Sequence, residues 1–406
     1  MEGRRIEEQL LTLAEKYGSP LYAYFTEDIE KNYRRLRSAF GKEGVHIMYA
    51  CKALTNVVVL KFLKNLGCGL DAVSLEEAKL GLLAGFKGRE IVFTPSMVGG
   101  TDYDKAVEYG LRLNVGDLSA LEYMGKNHPE YPVCIRLNPH VYAGGHEKIS
   151  VGHEQSKFGI SIFQMDDILD LVKRYGLRID GLHMHAGSDI QKDEQYMEAI
   201  SVIFDKAEFF PDLEYVDIGS GFKIPYKEGD STSDLNKIAE FVKEKLNTLS
   251  AKLNRQVELL MEPGKFLVSN AGYFIVKTTV VKKAPGKTFV GVNSGFNHLV
   301  RPMLYDAWHD VVNLSNPDGE PEKYDLVGYI CETDTFATDR VVARIGVGDF
   351  LAFKNAGAYG FNMASNYNSK LRPAEVLIHG GKDYLIRRRE TFEDMMSTQI
   401  IPDFFN

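Results

Sequence analysis

The chain contains the stretch Val45-His46-Ile47-Met48-Tyr49-Ala50-Cys51-Lys52. Its apolar residues predict a short buried strand, and that strand ends on an amine. Burying an ammonium group costs several kcal/mol or lowers its pKa, so a lysine that faces a core is usually paired or functional. A desolvated lysine amine is also the group that forms a Schiff base with an aldehyde cofactor. Because most lysines at strand ends face solvent, Lys52 becomes a catalytic candidate only together with further motifs.

On both sides of this strand, over residues 26–270, short apolar runs alternate with longer amphipathic stretches. The strand-like runs include 91–94, 111–115, 133–137, 181–185, 215–218 and 258–262, and the helical stretches include 74–85 and 165–175. Strands that alternate with helices predict a parallel sheet, and this length suits a closed (β/α)8 barrel. The polar motifs described below each follow an apolar run, which is where barrel enzymes carry their chemistry.

The pattern changes after residue 270. Runs such as 273–281 and 349–353 are rich in strand-forming residues and are separated by turn signals. They predict a separate, mostly antiparallel β domain over residues 271–406. We expect residues 1–25, an opening helix followed by the strand-like run 21–24, to pack on that domain.

Composition excludes several classes of protein. The 406 residues are 44% hydrophobic and 26% charged, as in ordinary soluble proteins, and the net charge of −8 argues against a nucleic-acid partner. The sequence has no apolar run of about 18 residues, and residues 1–8 lack the apolar core of a signal peptide. The four cysteines form no Cys-x-x-Cys pair, so reduced thiols in a cytoplasm are expected.

Three motifs at predicted strand ends carry candidate chemistry. Gly219-Ser220-Gly221 allows backbone N–H groups to close on an anion, although a plain tight turn is the alternative. It does not match the dinucleotide fingerprint, whose third glycine position holds Ile224. Glu262-Pro263-Gly264-Lys265 places a carboxylate where a pyridine nitrogen would be a suitable partner, although Pro-Gly alone indicates a turn.

The third motif is His183-Met184-His185-Ala186-Gly187-Ser188. Two histidines at i and i+2 share one face of a strand, which is compatible with a metal pair. That interpretation needs further ligands, yet no histidine occurs between His185 and His298. Alternatively, His185 lies against a flat cofactor while Ser188 binds its phosphate, and His183 is a hydrogen-bonded core residue.

Together these motifs resemble those of the fold-type III, alanine-racemase-like pyridoxal-phosphate decarboxylases, and most closely the diaminopimelate decarboxylases. The matching segments occur in family order along nearly the whole chain: 49–53, 156–159, 185–188, 217–221, 262–265, 301–305, 331–332 and 357–360. The resemblance implies a pyridoxal-phosphate-binding barrel, a C-terminal β domain and a head-to-tail homodimer with shared active sites.

The resemblance also implies residue roles. Lys52 holds pyridoxal phosphate covalently, His185 stacks on its ring, Glu262 pairs with the ring nitrogen, and Arg136 lies beneath it as a supporting charge. The phosphate is bound by the residues Ser188, Gly219, Ser220, Gly221, Gly264, Lys265 and Tyr359. Cys331, from the partner subunit, protonates the carbanion after carbon dioxide leaves. Lys265 stands where the family usually has an arginine, which touches phosphate or substrate; lysine keeps the charge without the bidentate fork.

The substrate prediction rests on Arg301, Tyr305 and Glu332, with Lys265 and Tyr359 as further substrate contacts. In the diaminopimelate enzymes, an Arg-Pro-x-x-Tyr motif holds the distal carboxylate, and the glutamate after the cysteine binds the distal ammonium. Ornithine and arginine enzymes carry an aspartate there. The resemblance therefore implies decarboxylation of meso-diaminopimelate to lysine.

Three alternatives remain open at this point. One is a decarboxylase of the same family that acts on carboxynorspermidine or on a basic amino acid. Another is a non-catalytic relative that binds a partner protein, which the presence of Lys52 and Cys331 disfavours. The last is a metal hydrolase built on His183 and His185.

Overall fold

The computed structural model describes residues 2–141, 152–153, 155–190, 192–227 and 229–405. The chain divides into two compact units. One comprises Glu30–Leu267, and the other comprises Met1–Ile29 with Val268–Asn406.

Strands and helices are numbered in chain order. The first ten strands are β1 (Leu21–Phe25), β2 (Val45–Ala50), β3 (Gly69–Ala72), β4 (Ile91–Phe93), β5 (Arg112–Val115), β6 (Val133–Asn138), β7 (Ile160–Ser161), β8 (Ile179–His183), β9 (Tyr215–Asp217) and β10 (Glu258–Met261). The others are β11 (Gly272–Ala284), β12 (Lys287–Val292), β13 (Val311–Asn313), β14 (Pro321–Val327), β15 (Thr335–Ala343), β16 (Phe350–Phe353), β17 (Ala374–His379) and β18 (Lys382–Arg387). The helices are α1 (Glu2–Tyr17), α2 (Thr26–Phe40), α3 (Val57–Leu66), α4 (Leu75–Ala84), α5 (Gly100–Glu108), α6 (Leu118–Asn127), α7 (Met165–Tyr175), α8 (Asp193–Ala207), α9 (Leu235–Leu253), α10 (Lys265–Val268), α11 (Arg301–Tyr305) and α12 (Phe392–Met396).

The first unit is a closed parallel barrel. Its strands follow the order β2-β3-β4-β5-β6-β8-β9-β10, and the ring closes because β10 also pairs with β2, with Leu259 opposite Val45. The short strand β7 pairs with the end of β6, with Ile160 opposite Leu137. All these pairings are parallel, so the carboxyl ends of all eight barrel strands meet at one end of the barrel.

Local sequence signals begin and end the barrel helices. Ser74 caps α4 by accepting a hydrogen bond from the Glu77 N–H (3.1 Å), and the Glu77 carboxylate accepts one from the Val73 N–H (2.9 Å). The helix ends at Gly85, whose φ of +98° is a left-handed conformation that glycine adopts without strain. The same signals surround α3, with Asn56 at its start and Gly67 at its end. The chain therefore turns sharply after each helix and returns to the next strand.

The second unit contains a nine-stranded, mostly antiparallel sheet. Its main path is β15-β14-β12-β11-β1-β17-β18, and β16 and β13 join it through β11. Two pairings are parallel, β1 with β17 and β12 with β14. The apolar face of α1 packs with β1, β11 and β17 in one core; its members include Leu10, Leu13, Leu21, Ile275 and Val376. The predicted fold class, a barrel plus a mostly antiparallel β domain, is confirmed.

One predicted strand is displaced. We expected residues 181–185, but β8 spans Ile179–His183. The prediction that His183 and His185 share one face of a strand is therefore wrong. The chain leaves the strand after His183 and turns at Gly187, whose φ is +141°. Among the described helices, none is long and apolar enough to cross a bilayer.

Candidate active site

Lys52 lies at the carboxyl end of β2, on a single turn of 3-10 helix that spans Cys51–Ala53. Its ammonium donates a hydrogen bond to Asp71 Oδ2 at the end of β3, over 3.1 Å. Asp71 is fully buried, whereas the Lys52 side chain is 36% exposed. The Lys52 amine is thus ion-paired, and the side chain that carries it is partly exposed.

Glu262 follows β10 and is only 6% exposed. His183 Nε2 donates to its Oε2 over 3.1 Å, and its other oxygen, Oε1, has no hydrogen-bond partner among the described residues. Burial acts to raise the pKa of Glu262, but nearby His183 and Lys52 outweigh burial and hold that pKa below its usual range. Glu262 is therefore a buried anion that can accept one more hydrogen bond.

Asp217 lies in the same buried environment, but its pKa is shifted in the opposite direction. Burial first, and the neighbouring Glu262 second, raise the pKa of Asp217 well above its usual range. Its Oδ1 accepts a hydrogen bond from the Gly219 N–H over 2.8 Å. Two carboxylates close together cannot both ionise easily, so we interpret Asp217 as the protonated member beside ionised Glu262.

His185 presents a neutral ring beside these charges. Burial, followed by the Arg136 and Lys52 cations, lowers its pKa to about 3. Its Nδ1 accepts a hydrogen bond from the Ser220 N–H over 3.4 Å, which fixes the tautomer. Arg136 is buried, and its guanidinium lies 4.9 Å from the centre of the Phe158 ring. A neutral imidazole keeps a flat, uncharged face for stacking.

The glycine-rich loop is closely packed on the loop after His185. Gly219 has a φ of +61°, and a Cβ there would lie 2.5 Å from the Met184 carbonyl oxygen. Gly221 has a φ of +136°, and a Cβ there would lie 2.5 Å from the Gly187 carbonyl oxygen. Only glycine fits either position. Ser188 lies on the facing loop. On that loop, the Ile190 N–H donates to the Gly221 carbonyl over 3.0 Å, which joins the two loops.

The turn after Glu262 packs on the Lys52 turn. The Ala50 N–H donates to the Pro263 carbonyl over 3.3 Å, and a Cβ at Gly264 would lie 3.1 Å from the Cβ atoms of Ala50 and Ala53. Lys265 forms an ion pair with Asp189 and lies over the ring of Tyr226. Within the barrel unit, the sequence-predicted cofactor residues follow the carboxyl ends of β2, β8, β9 and β10, except Arg136, which lies within β6.

The remaining predicted residues belong to the second unit. Arg301 begins α11 and is 4% exposed, and its Nη1 donates to His309 Nε2 over 3.2 Å. Tyr305 is the last residue of that helix. Tyr359 has a φ of +56°, a strained conformation for a tyrosine. It lies between Gly357 and Gly360, where added Cβ atoms would overlap backbone atoms.

Cys331 and Glu332 are exposed on one turn of the second unit. Asn368 Nδ2 donates to Cys331 Sγ over 3.6 Å, and the Tyr367 hydroxyl donates to the Glu332 carboxylate. The turn is held by buried Asp334, which accepts hydrogen bonds from the N–H groups of Phe296 (2.8 Å) and Ile330 (3.0 Å). The thiol and the carboxylate are thus displayed on an anchored loop.

Comparison with known proteins identifies the family. Residues 26–269 match the model of the pyridoxal-binding domain of pyridoxal-dependent decarboxylases. The chain belongs to this decarboxylase family. It is 38% identical over 404 residues to the diaminopimelate decarboxylase of Methanothermobacter thermautotrophicus, covering 96% of this chain and 94% of that protein.

Solved structures of pyridoxal-dependent decarboxylases agree over the full chain. The diaminopimelate decarboxylase of Methanocaldococcus jannaschii in complex with L-lysine has a TM-score of 0.90 and 30% identity, covering 98% of this chain and 95% of that one. The enzyme of Helicobacter pylori complexed with L-lysine has a TM-score of 0.89 and 29% identity, covering 96% and 98%.

The cofactor of this decarboxylase is pyridoxal phosphate, as the sequence predicts. The barrel residues fit the group on their own chemistry. Glu262 Oε1 is a buried acceptor that a protonated pyridine nitrogen would satisfy. Lys52 supplies an amine on a partly exposed side chain at the same end of the barrel.

Sequence reasoning missed several residues of the decarboxylase site. Asp71, His309 and Asp334 were not singled out. Asp217 was quoted only as part of a glycine-loop motif. Among the described residues, one group has metal-ligating atoms within 4.8 Å of one another, namely His183, Asp217 and Glu262. It does not include His185, so the structure does not bring the two histidines of the hydrolase hypothesis together as ligands.

Proposed function

We propose that this chain catalyses the decarboxylation of meso-2,6-diaminopimelate to L-lysine and carbon dioxide, the last step of lysine biosynthesis. The observation that carries the proposal is full-length similarity. The relatives and solved structures compared above align over more than nine tenths of both chains and are named diaminopimelate decarboxylases. Two of those structures contain L-lysine, the product of this reaction.

The barrel residues hold and tune the cofactor in this proposal. Pyridoxal phosphate, when bound, supplies the electron sink for the electron pair left on the substrate carbon as carbon dioxide departs. Lys52 attaches it through its amine, and Glu262 keeps the ring nitrogen protonated. His185 lies against the ring because its imidazole is neutral, and Arg136 adds a supporting cation.

The phosphate group is bound by neutral donors and one cation. Ser188 and the Gly221 N–H would donate to it, with the turn that contains Gly264 close by, and Gly219 and Ser220 would shape the loop, because Asp217 and His185 accept from their N–H groups. Lys265 contributes its charge, and Tyr359 contributes a hydroxyl. The support for this role is position: Lys265 is ion-paired with Asp189, the residue directly after Ser188, so its ammonium lies at the loop that carries Ser188.

Residues of the second unit bind substrate and deliver a proton. Arg301 and Tyr305 bind the distal carboxylate of diaminopimelate, and Glu332 binds the distal ammonium, with Lys265 and Tyr359 as further contacts. Cys331 donates the proton that replaces carbon dioxide. Its support is the exposed thiol on a loop anchored by Asp334, directly before Glu332.

Substrate choice tests the proposal. Arg301→Met leaves the distal carboxylate of diaminopimelate without its cation, which commonly costs about 2–5 kcal/mol, or roughly 30- to 5000-fold in kcat/KM. Slow turnover of lysine or ornithine, which lack a second carboxylate, should barely change. Glu332→Ala should reduce the use of all three diamino acids, because all carry the distal ammonium. Carbon dioxide release from each substrate is the measurement.

Arg344→Met is the matched control, since Arg344 is an exposed arginine of the same unit, paired with Glu322. It should leave kcat/KM unchanged. If wild-type enzyme strongly preferred ornithine or carboxynorspermidine to diaminopimelate, the substrate assignment would be wrong while the cofactor chemistry would stand.

We further propose a cytoplasmic homodimer in which each active site takes Lys52 from one chain and Cys331 from the other. Inactive Lys52→Ala and Cys331→Ala homodimers should then regain activity when their subunits exchange. Random exchange makes half of the dimers mixed, each with one native site, so up to about a quarter of wild-type activity should return. No recovery after demonstrated exchange would place both residues in one chain.

A further inference from the structure

The substrate arginine proposed above is bonded to a histidine that the reaction does not otherwise use. His309 is 1% exposed and lies between Arg301 and the backbone carbonyl of Lys354. Its Nδ1 is 2.8 Å from the Lys354 oxygen, and its Nε2 is 3.2 Å from Arg301 Nη1. A carbonyl oxygen only accepts hydrogen bonds, so Nδ1 carries the hydrogen. Nε2 of the neutral ring therefore has a lone pair, which accepts from the guanidinium.

The chain geometry around α11 produces this arrangement. The helix is short, and it ends at Asp306, whose φ of +53° reverses the chain. The Ala307 N–H then returns to the Arg301 carbonyl over 3.3 Å. Beyond His309, the Lys354 N–H donates to the Asp310 carbonyl over 2.8 Å, and β13 begins its pairing with β16. Backbone hydrogen bonds before and after His309 thus fix the position of its imidazole beside Arg301.

We propose that His309 is a positioning residue that orients the Arg301 guanidinium for the distal carboxylate of the substrate. An arginine side chain is long and loses rotamer entropy when it binds, and a bond formed before binding removes part of that cost from the binding step. The neutral imidazole orients the guanidinium without neutralising it. A carboxylate in the same place would also accept the bond but would compete with the substrate for the positive charge. This inference rests on the proposed function.

Two conservative variants separate the two bonds of His309. His309→Asn keeps a short amide that can donate to the Lys354 carbonyl but cannot reach Arg301. His309→Gln is one methylene longer, so its amide oxygen can accept from the guanidinium. The measurements on purified holoenzyme are kcat and KM for diaminopimelate, together with inhibition constants for L-lysine and cadaverine. L-Lysine retains the distal carboxylate and the distal ammonium, whereas cadaverine has no carboxylate.

We expect His309→Asn to raise the KM for diaminopimelate and the inhibition constant of L-lysine about tenfold each, because a hydrogen bond to a charged group is lost. The kcat and the inhibition constant of cadaverine should stay within about twofold of wild type. His309→Gln should restore most of the L-lysine affinity. In an Arg301→Met background, His309→Asn should add almost nothing, because the group that it orients is absent.

Equal weakening of L-lysine and cadaverine by His309→Asn would overturn the positioning role, since a general structural defect has no reason to select the carboxylate. So would a full tenfold effect in the Arg301→Met background. A failure of the proposed substrate role of Arg301 would give a different result, because Arg301→Met alone would then leave the KM for diaminopimelate unchanged. If His309→Asn does not fold, His309→Gln decides: wild-type selectivity supports the role, and equal loss for both inhibitors contradicts it.

Discussion

The two ends of the barrel bury ionisable side chains in different ways. Strand β8 carries Asp180 near its start and His183 at its end, and β9 carries Tyr215 at its start and Asp217 at its end. At the carboxyl end, two buried carboxylates have side-chain partners from other strands: Lys52 bonds Asp71, and His183 bonds Glu262. The pKa of Glu262 is consequently low, and this anion is ready to act on a ligand.

At the amino end of the barrel, nearby arginines act to lower the pKa of Asp180 but do not outweigh burial. The Arg112 guanidinium lies over the Tyr215 ring, 5.1 Å from its centre, and Arg178 forms an ion pair with Glu214. Burial, with a further contribution from Glu214, raises the pKa of Asp180 to about 6. Strand β8 thus carries Asp180, whose ionised form is disfavoured by burial, and His183, which bonds the low-pKa carboxylate of Glu262. The difference indicates chemistry at one end and structural packing at the other.

The largest effect expected at the carboxyl end comes from Lys52→Ala. Without the amine the cofactor has no covalent attachment, and turnover should fall on the order of 10³-fold or more. An absorbance spectrum before and after borohydride reduction measures the attachment, and carbon dioxide release measures the rate. Lys61→Ala, at an exposed position on α3, is the control and should change neither. A reducible cofactor band that persisted in the Lys52→Ala protein would refute the assignment.

Glu262→Gln should retain the cofactor but slow turnover about 10²- to 10³-fold, because a neutral amide no longer keeps the ring nitrogen protonated. The control is the first residue of β10, the strand that Glu262 follows, at the other end of the barrel. Glu258 is half-exposed beside His46, and Glu258→Gln should leave kcat unchanged. Steady-state kinetics and a cofactor titration of both variants test the comparison directly. Equal rates for the two variants would show that the carboxylate at the carboxyl end contributes no more to turnover than the one at the amino end.

Asp180→Asn should alter stability rather than activity. The pKa of Asp180 is higher in the folded chain than its unfolded value near 3.9, so between about pH 4 and pH 6 the folded state binds more protons. Its contribution to stability is therefore present below about pH 4 and is lost as pH rises through 6. The asparagine variant avoids this loss, and its stability relative to wild type should rise by up to about 3 kcal/mol between pH 4 and pH 7.

Urea unfolding at several pH values measures this difference, with exposed Asp212→Asn as the control. A stability difference that stayed constant with pH would show that other groups offset the effect of burial on the pKa of Asp180. The two ends of the barrel would then differ less than the structure indicates.

The smallest effect should come from Gly181→Ala, in the middle of β8. A Cβ at this position would overlap the ring of buried Tyr215, so the packing at the amino end must shift at a cost of about 1–3 kcal/mol. Gly291→Ala on β12 is the control, because a Cβ there makes only ordinary contacts, the nearest at 3.6 Å. Thermal melting compares the two. Equal melting temperatures would show that the Tyr215 ring moves freely.

Much of the site could be predicted because its chemistry follows strand ends. Lys52, Glu262 and the Gly219–Gly221 loop each follow an apolar run, and parallel strands bring such positions to one end of a barrel. The position of His185 was less predictable, because Leu182, His183 and Met184 continue the apolar run past the point where pairing stops. Asp71 and Asp334 were missed because the local sequence around an aspartate gives no signal that its side chain is buried.

The sequence by itself determined the fold class, the cofactor and the catalytic candidates, since strand and helix periods and short motifs are local and survive without neighbours. Only the tertiary structure decided which charges meet. His183 reaches Glu262 across 79 positions of the chain, Lys52 reaches Asp71 across 19, and His309 joins Arg301 to the carbonyl of Lys354. The protonation states of Asp180, Asp217 and Glu262 depend on burial and on such partners, neither of which is a property of the residue alone.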